Sequence, residues 1–164
     1  MTSTDWTGMA YNQLFSANMA PGTGALSTPV FLHTTLGESI NQGPLSFSAD
    51  GKQVIFTRNN FVDGTRLLET SGMELNLFTA DISNEGVWTG VKPFQHNISG
   101  YSTGFPSLSP DGQKLFFASN RPDGYGGYDI YVSYKVGEIW TLPENLGPVV
   151  NSPGNEISPF YEGN

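Results

Sequence analysis

Two Ser-x-Asp-Gly corners, Ser48-Ala49-Asp50-Gly51 and Ser109-Pro110-Asp111-Gly112, hold the carboxylates at which acid–base or metal chemistry would first be sought. A turn asks for the same residues. Proline presets φ at its second position, aspartate accepts bonds from nearby backbone N–H groups, and glycine takes φ > 0 without a Cβ clash. Asp50, Gly51, Pro110, Asp111 and Gly112 are therefore expected to be structural. Asp123 and Asp129 flank the glycine-rich Gly124-Tyr125-Gly126-Gly127, a conceivable Ca²⁺ loop, but calcium takes about six to eight oxygen ligands and the segment does not offer that number. No metal is expected there.

Other chemistries fail on spacing or context. Nothing fixes two carboxylates at the separation that glycoside hydrolysis requires. The sialidase Asp-box, Ser-x-Asp-x-Gly with a following Trp, is not met, because glycine follows aspartate directly here. Ser107 and Ser109 flank a turn without a Gly-x-Ser-x-Gly elbow, and the only imidazoles are His33 and His96, read as edge or loop residues. The loop at 124–127 lacks the Lys-Ser/Thr and the following helix of a phosphate-binding loop. Asn97-Ile98-Ser99 matches the N-glycosylation triplet, a pattern that arises often by chance and is set aside. Cysteine is absent, which removes disulfides, thiolate nucleophiles and Cys-type zinc sites. No catalytic residue and no cofactor is expected.

The elements that carry these residues are short strands. Charged residues are 13% of the 164, aromatics another 13%, with 20 Gly and 11 Pro, a balance suited to strands joined by tight turns. A net charge of −8 repels phosphate backbones and anionic headgroups, so nucleic acid is not an expected partner. No apolar run approaches the roughly 18 residues of a membrane-spanning helix, and the first residues lack a signal peptide's basic start and apolar run. Membrane insertion is not expected.

A repeat organises the chain. The stretch from Ser48 to Asn59 returns from Ser109 to Asn120 at an offset of 61 residues. Leu77-Phe78-Thr79-Ala80 with Val87-Trp88-Thr89 returns as Ile130-Tyr131-Val132-Ser133 with Ile139-Trp140-Thr141 at about 52, which places an insertion near 62–72 in the first copy. A partial copy opens the chain, where Asn12 to Ala17 resembles Asn76 to Ala80, and another begins at Ser158-Pro159-Phe160-Tyr161. Each copy reads as four short antiparallel strands, near 105–109, 114–120, 129–134 and 140–146 in the clearer one. Val54-Ile55-Phe56 and Leu115-Phe116-Phe117 are unbroken apolar runs where a half-solvated strand would alternate, so both faces of that strand must be covered. Neighbouring blades of a β-propeller supply that cover. The glycines of 124–127 are expected to permit a tight hairpin reversal. The expected fold is all-β, a partial propeller of about three four-stranded blades: the end of one at 1–42, blades at 43–98 and 99–152, and the start of another at 153–164.

The segments 105–112, 116–121, 124–131 and Pro143-Glu144-Asn145-Leu146-Gly147, with 43–48 and 56–60, resemble the WD40-like repeats of TolB-type periplasmic proteins. They resemble more closely those of outer-membrane-protein-A-family proteins of Bacteroidota. The resemblance covers roughly 42–161 and is specific for fold but not for task. It implies a periplasmic or outer-membrane-associated location, beside a peptidoglycan-binding domain or within type IX secretion and gliding machinery. The chain holds about three blades where a closed ring has about four to eight, so completion by further sequence or by self-association is expected.

The expected function is a non-catalytic scaffold that binds other envelope proteins. Arg66, Leu67 and Leu68 of the insertion and Arg121, Tyr125 and Tyr128 of the glycine-rich loop are the candidate contact residues, of types that anchor interfaces. The same residues would serve equally to pack on their own blade. The alternative is a carbohydrate-binding or glycan-processing propeller with Tyr or Trp platforms at one mouth of the ring.

Overall fold

The structure, a computed structural model, describes residues 12–32, 42–59, 61–62, 65–66 and 74–163, with the backbone alone at 61–62 and 65–66. In chain order the strands are β1 (Phe15–Ser16), β2 (Val30–Phe31), β3 (Gln42–Phe47), β4 (Gln53–Asn59), β5 (Phe61–Val62), β6 (Thr65–Arg66), β7 (Leu75–Ile82) and β8 (Trp88–Pro93). They continue with β9 (Thr103–Leu108), β10 (Lys114–Ser119), β11 (Asp129–Val136), β12 (Ile139–Trp140) and β13 (Glu144–Asn145). No helix occurs among the described residues, and every strand pair is antiparallel.

Two sheets dominate. The central one runs β3-β4-β7-β8 and the second runs β12-β11-β10-β9, with β13 also on β11; β1-β2 and β5-β6 are two-stranded. Prolines mark the edges of both. Pro44 lies in the outermost strand β3 and Pro106 in the outermost strand β9, where a missing N–H costs no ladder bond.

The central sheet is covered on both sides, as the unbroken run Val54-Ile55-Phe56 requires. Val54 and Phe56 join Phe78, Ala80 and Trp88 on one face, closed by Leu14 and Leu32 from beside the β1-β2 pair. Ile55 points the other way, into a cluster with Leu77, Phe94, Leu108, Leu115, Phe117 and Tyr131 that joins the two large sheets. Full burial of such a side chain contributes about 1.5–3 kcal/mol each. The insertion near 62–72 forms β5 and β6 at its start, and its remainder lies outside the described residues.

One expected strand is broken. The stretch 140–146 pairs with β11 in two pieces, β12 against Lys135 and Val136 and β13 against Tyr131 and Val132. Between them Pro143 offers no N–H. Thr141 spans the gap, its N–H donating to the Tyr134 carbonyl at 2.8 Å and its Oγ1 accepting the Tyr134 N–H at 3.0 Å.

Candidate interaction surface

The Ser-x-Asp-Gly corners are closed on themselves. Ser48 Oγ donates to Asp50 Oδ1 at 2.6 Å, and the Lys52 N–H donates to the same oxygen at 3.0 Å. Ser109, Asp111 and Gln113 repeat the arrangement. Gly51 and Gly112 take φ of 68° and 67°. These bonds to the serine hydroxyl first, and to backbone N–H second, hold both aspartates below the ordinary carboxylate range. Ser83-Asn84-Glu85-Gly86 makes a third corner with glutamate in the acid's place, Ser83 Oγ donating to Glu85 Oε2 at 2.8 Å. Its signal, Ser-x-acid-Gly, was visible in the sequence.

Two asparagines pin the chain between units. Asn97 Oδ1 accepts the Leu77 N–H at 3.1 Å while its Nδ2 donates to the Leu77 carbonyl at 2.9 Å. Asn151 does the same to Ile130, at 2.7 and 3.0 Å. Each carboxamide thus mimics a neighbouring strand for one residue. The triplet Asn97-Ile98-Ser99 owes its asparagine to this lock, which sequence reading missed because Asn97 and Asn151 sit in unlike neighbourhoods.

The glycine-rich loop works by close approach. None of Gly124, Gly126 and Gly127 takes a positive φ. A Cβ on Gly126 would instead lie 2.5 Å from the carbonyl oxygens of Ser152 and Gly154, and one on Gly127 2.2 Å from Asn155 Oδ1. The chain beyond β13 lies against this loop. Gly127 N–H donates to the Gly154 carbonyl and Glu156 N–H to the Tyr128 carbonyl, both at 2.7 Å.

The candidate contact residues separate. Tyr125 is 52% exposed, with its N–H on Asp129 Oδ2 at 2.5 Å. Tyr128 is half-buried, its N–H bonded to Asn155 Oδ1 at 3.0 Å. Arg121 is buried, its guanidinium 4.8 Å from the Tyr131 ring centre and 5.4 Å from that of Phe117, and burial lowers its pKa. It lies beneath the loop and not on its surface. Arg66 is in β6, while Leu67 and Leu68 lie outside the described residues, as does His33.

Asp129 is fully buried; Oδ2 also accepts from Asn145 Nδ2 at 2.8 Å, and Oδ1 has no partner. Asp123 is exposed, and among the described residues no three His, Asp or Glu side chains converge as a metal would need. Ser107 Oγ accepts the Tyr161 N–H at 3.0 Å, and His96 Nε2 lies 2.9 Å from the Trp140 carbonyl.

Of the hollows between the units among the described residues, two bear on the site. One, of about 220 Å³, opens between β8 and the β11-β12 hairpin and is lined by Gln53, Asp81, Lys92, Gln95, Lys135 and Trp140 among others. The other, of about 530 Å³, runs along three successive proline-bearing segments, Pro44 to Phe47, Phe105 to Leu108 and Ser158 to Tyr161. The chain is an all-β protein of antiparallel sheets that bury one another's faces. Compared with family models and with curated proteins, it matches none.

Proposed function

We propose that the chain is an array of β-propeller blades serving as a non-catalytic scaffold that holds partner proteins in a bacterial cell envelope. The observation that carries this reading is the packing of successive antiparallel sheets, of two, four and five strands, face against face, which makes a stiff support for loops such as the one bearing Tyr125. The envelope location follows from the sequence resemblance. Placing the photo-crosslinker p-benzoylphenylalanine at Tyr125, and at exposed Gln13 as control, tests it in envelope fractions of the source organism. A discrete protein adduct from position 125 alone is expected; no adduct from 125 would overturn the assignment of that loop.

A second reading, carbohydrate binding, draws on the 220 Å³ hollow, where an indole stands beside amide, carboxylate and ammonium groups. Its size is below the roughly 300–1,000 Å³ of drug-sized sites and suits one sugar ring. Calorimetric titration with cell-wall glycans, comparing the native chain with Asp81→Ala, decides it. Equal absence of heat from both would end this reading.

A further inference from the structure

The chain holds four Asp-Gly pairs, Asp50-Gly51, Asp63-Gly64, Asp111-Gly112 and Asp123-Gly124, of which Asp63-Gly64 lies outside the described residues. Such a pair carries a reaction of its own. The backbone nitrogen of the glycine can attack the aspartate Cγ, since glycine has no side chain to obstruct the approach. The N–Cγ bond forms, the amide hydrogen and the carboxyl OH leave together as water, and a succinimide ring closes. Water then opens the ring at either carbonyl, restoring aspartate or leaving isoaspartate, in which the main chain runs through Cβ and Cγ. One water leaves and one enters, so the step balances without oxidant or cofactor.

The three described pairs sit in the same kind of turn, and two of them are locked. Asp50 Oδ1 is held by Ser48 Oγ at 2.6 Å and by the Lys52 N–H at 3.0 Å, and Asp111 Oδ1 by Ser109 Oγ and by the Gln113 N–H at 3.0 Å. A carboxylate so bonded must leave these partners to turn its Cγ toward the next nitrogen. The same bonds favour the ionised form, whereas the ring closes from the neutral acid, whose OH is the group that departs. In Arg121-Pro122-Asp123-Gly124, arginine stands where the other corners have serine. Its guanidinium is turned away beneath the loop, Nε donating to Ser119 Oγ at 3.2 Å and Nη2 to the His96 carbonyl at 3.3 Å. Asp123 feels the charge of Arg121, as Asp50 and Asp111 feel Lys52 and Lys114. Among the described residues, however, its exposed carboxylate takes no hydrogen bond.

We infer that Asp123 is a site of spontaneous covalent modification, where the chain isomerises to isoaspartate ahead of Asp50 and Asp111. The inference rests on the contrast between the three corners and is independent of the scaffold reading. Its consequence falls on the loop that carries Tyr125. A Cβ on Gly124 would lie 2.6 Å from Asp129 Oδ2 and 3.3 Å from the Tyr131 hydroxyl oxygen, and the Tyr125 N–H already bonds Asp129 Oδ2 at 2.5 Å. Isoaspartate lengthens the main chain by one methylene just ahead of Gly124, so that bond must shift and the exposed Tyr125 ring with it.

Incubation of the folded chain in heavy-oxygen water at neutral pH tests this, because each ring opening fixes a heavy oxygen at the residue that cyclised, and fragmentation mass spectrometry locates it. Label at Asp123 should exceed that at Asp50 and at Asp111 about tenfold or more, the factor that one ordinary hydrogen bond supplies. In urea, where the corners are undone, the pairs should label to similar extents. Ser48→Ala leaves Asp50 with its backbone partner alone and should raise the label at Asp50 while that at Asp123 stays. Asp123→Glu, whose longer side chain would have to close a larger ring, should lose the label at 123. Equal labelling of the three corners in the folded chain, no label at Asp123 in a folded chain whose urea-unfolded form labels, or a Ser48→Ala variant with Asp50 unmoved would each overturn the proposal.

Discussion

Asp50 and Asp111 show how an acidic side chain can be spoken for by its own turn. With two bonds on Oδ1, each has its pKa held below the ordinary 3.8 by the serine hydroxyl and by a backbone N–H. A carboxyl whose pKa is lower folded than unfolded adds stability above its unfolded value and loses it as pH falls through the folded one. Acid unfolding should therefore steepen below the ordinary carboxylate range, and a combined Asp50→Asn, Asp111→Asn variant should show a shallower loss of stability on acidification. Urea melts between neutral and acid pH measure it, and equal slopes for both proteins would refute it. Asn151 makes a second residue-scale case, since its carboxamide serves buried N–H and C=O groups of Ile130 and also donates to Asn145 Oδ1 at 2.8 Å. Asn151→Ala leaves the Ile130 N–H unpaired, at roughly 1–3 kcal/mol if it stays dry, while the Ile130 carbonyl keeps the Leu146 N–H at 3.1 Å. Denaturant unfolding should show a loss of that size, and hydrogen exchange should speed at Ile130.

At the scale of elements, much was legible because turn and strand signals are local. The expected strands at 114–120 and 129–134 match β10 and β11 closely, and the Asp-Gly corners lie between strands as read. What escaped was set by distant chain. Gly126 reads as a reversal residue, yet its lack of a side chain is required by the backbone of Ser152 to Gly154, some twenty-six residues on. Arg121 reads as a surface anchor, yet Phe117 and Tyr131 provide an aromatic bed for it that only the β10-β11 register assembles. The locks by Asn97 and Asn151 likewise appear only once β7 and β11 are in place. Gly126→Ala tests the close approach: backbone atoms must move, so a destabilisation of about 1–3 kcal/mol is expected. Limited proteolysis should then cut near 151–157, whereas Gly137→Ala, with open space around it but a left-handed φ of 62°, should leave that segment protected. Cleavage at 151–157 in both variants would mean the glycine loop does not hold the segment.

For the whole molecule, the question is whether the units unfold together. Arrays of this kind gain stability from each unit and from each contact between neighbours, so cooperativity depends on the contacts. Here the contact is the cluster of Ile55, Leu77 and Phe94 with Leu108, Leu115, Phe117 and Tyr131, supplemented by bonds such as Phe105 N–H to Thr57 Oγ1 at 2.9 Å. Gly104 permits the near approach, since a Cβ there would already stand 3.0 Å from Thr57 Cγ2. Leu77 is fully buried at the centre of this contact, and Leu77→Ala should cost about 2–5 kcal/mol. Because that loss falls on the junction, it should also part the two sheets energetically. Hydrogen exchange of the native chain should give one common opening free energy for β4, β7, β10 and β11. In Leu77→Ala the central sheet should open at lower free energy than β10 and β11, which keep their own ladder and the Asn151 lock. If all four strands weaken equally, the two sheets form one cooperative block, and the units are joined more tightly than a chain of nearest-neighbour contacts allows.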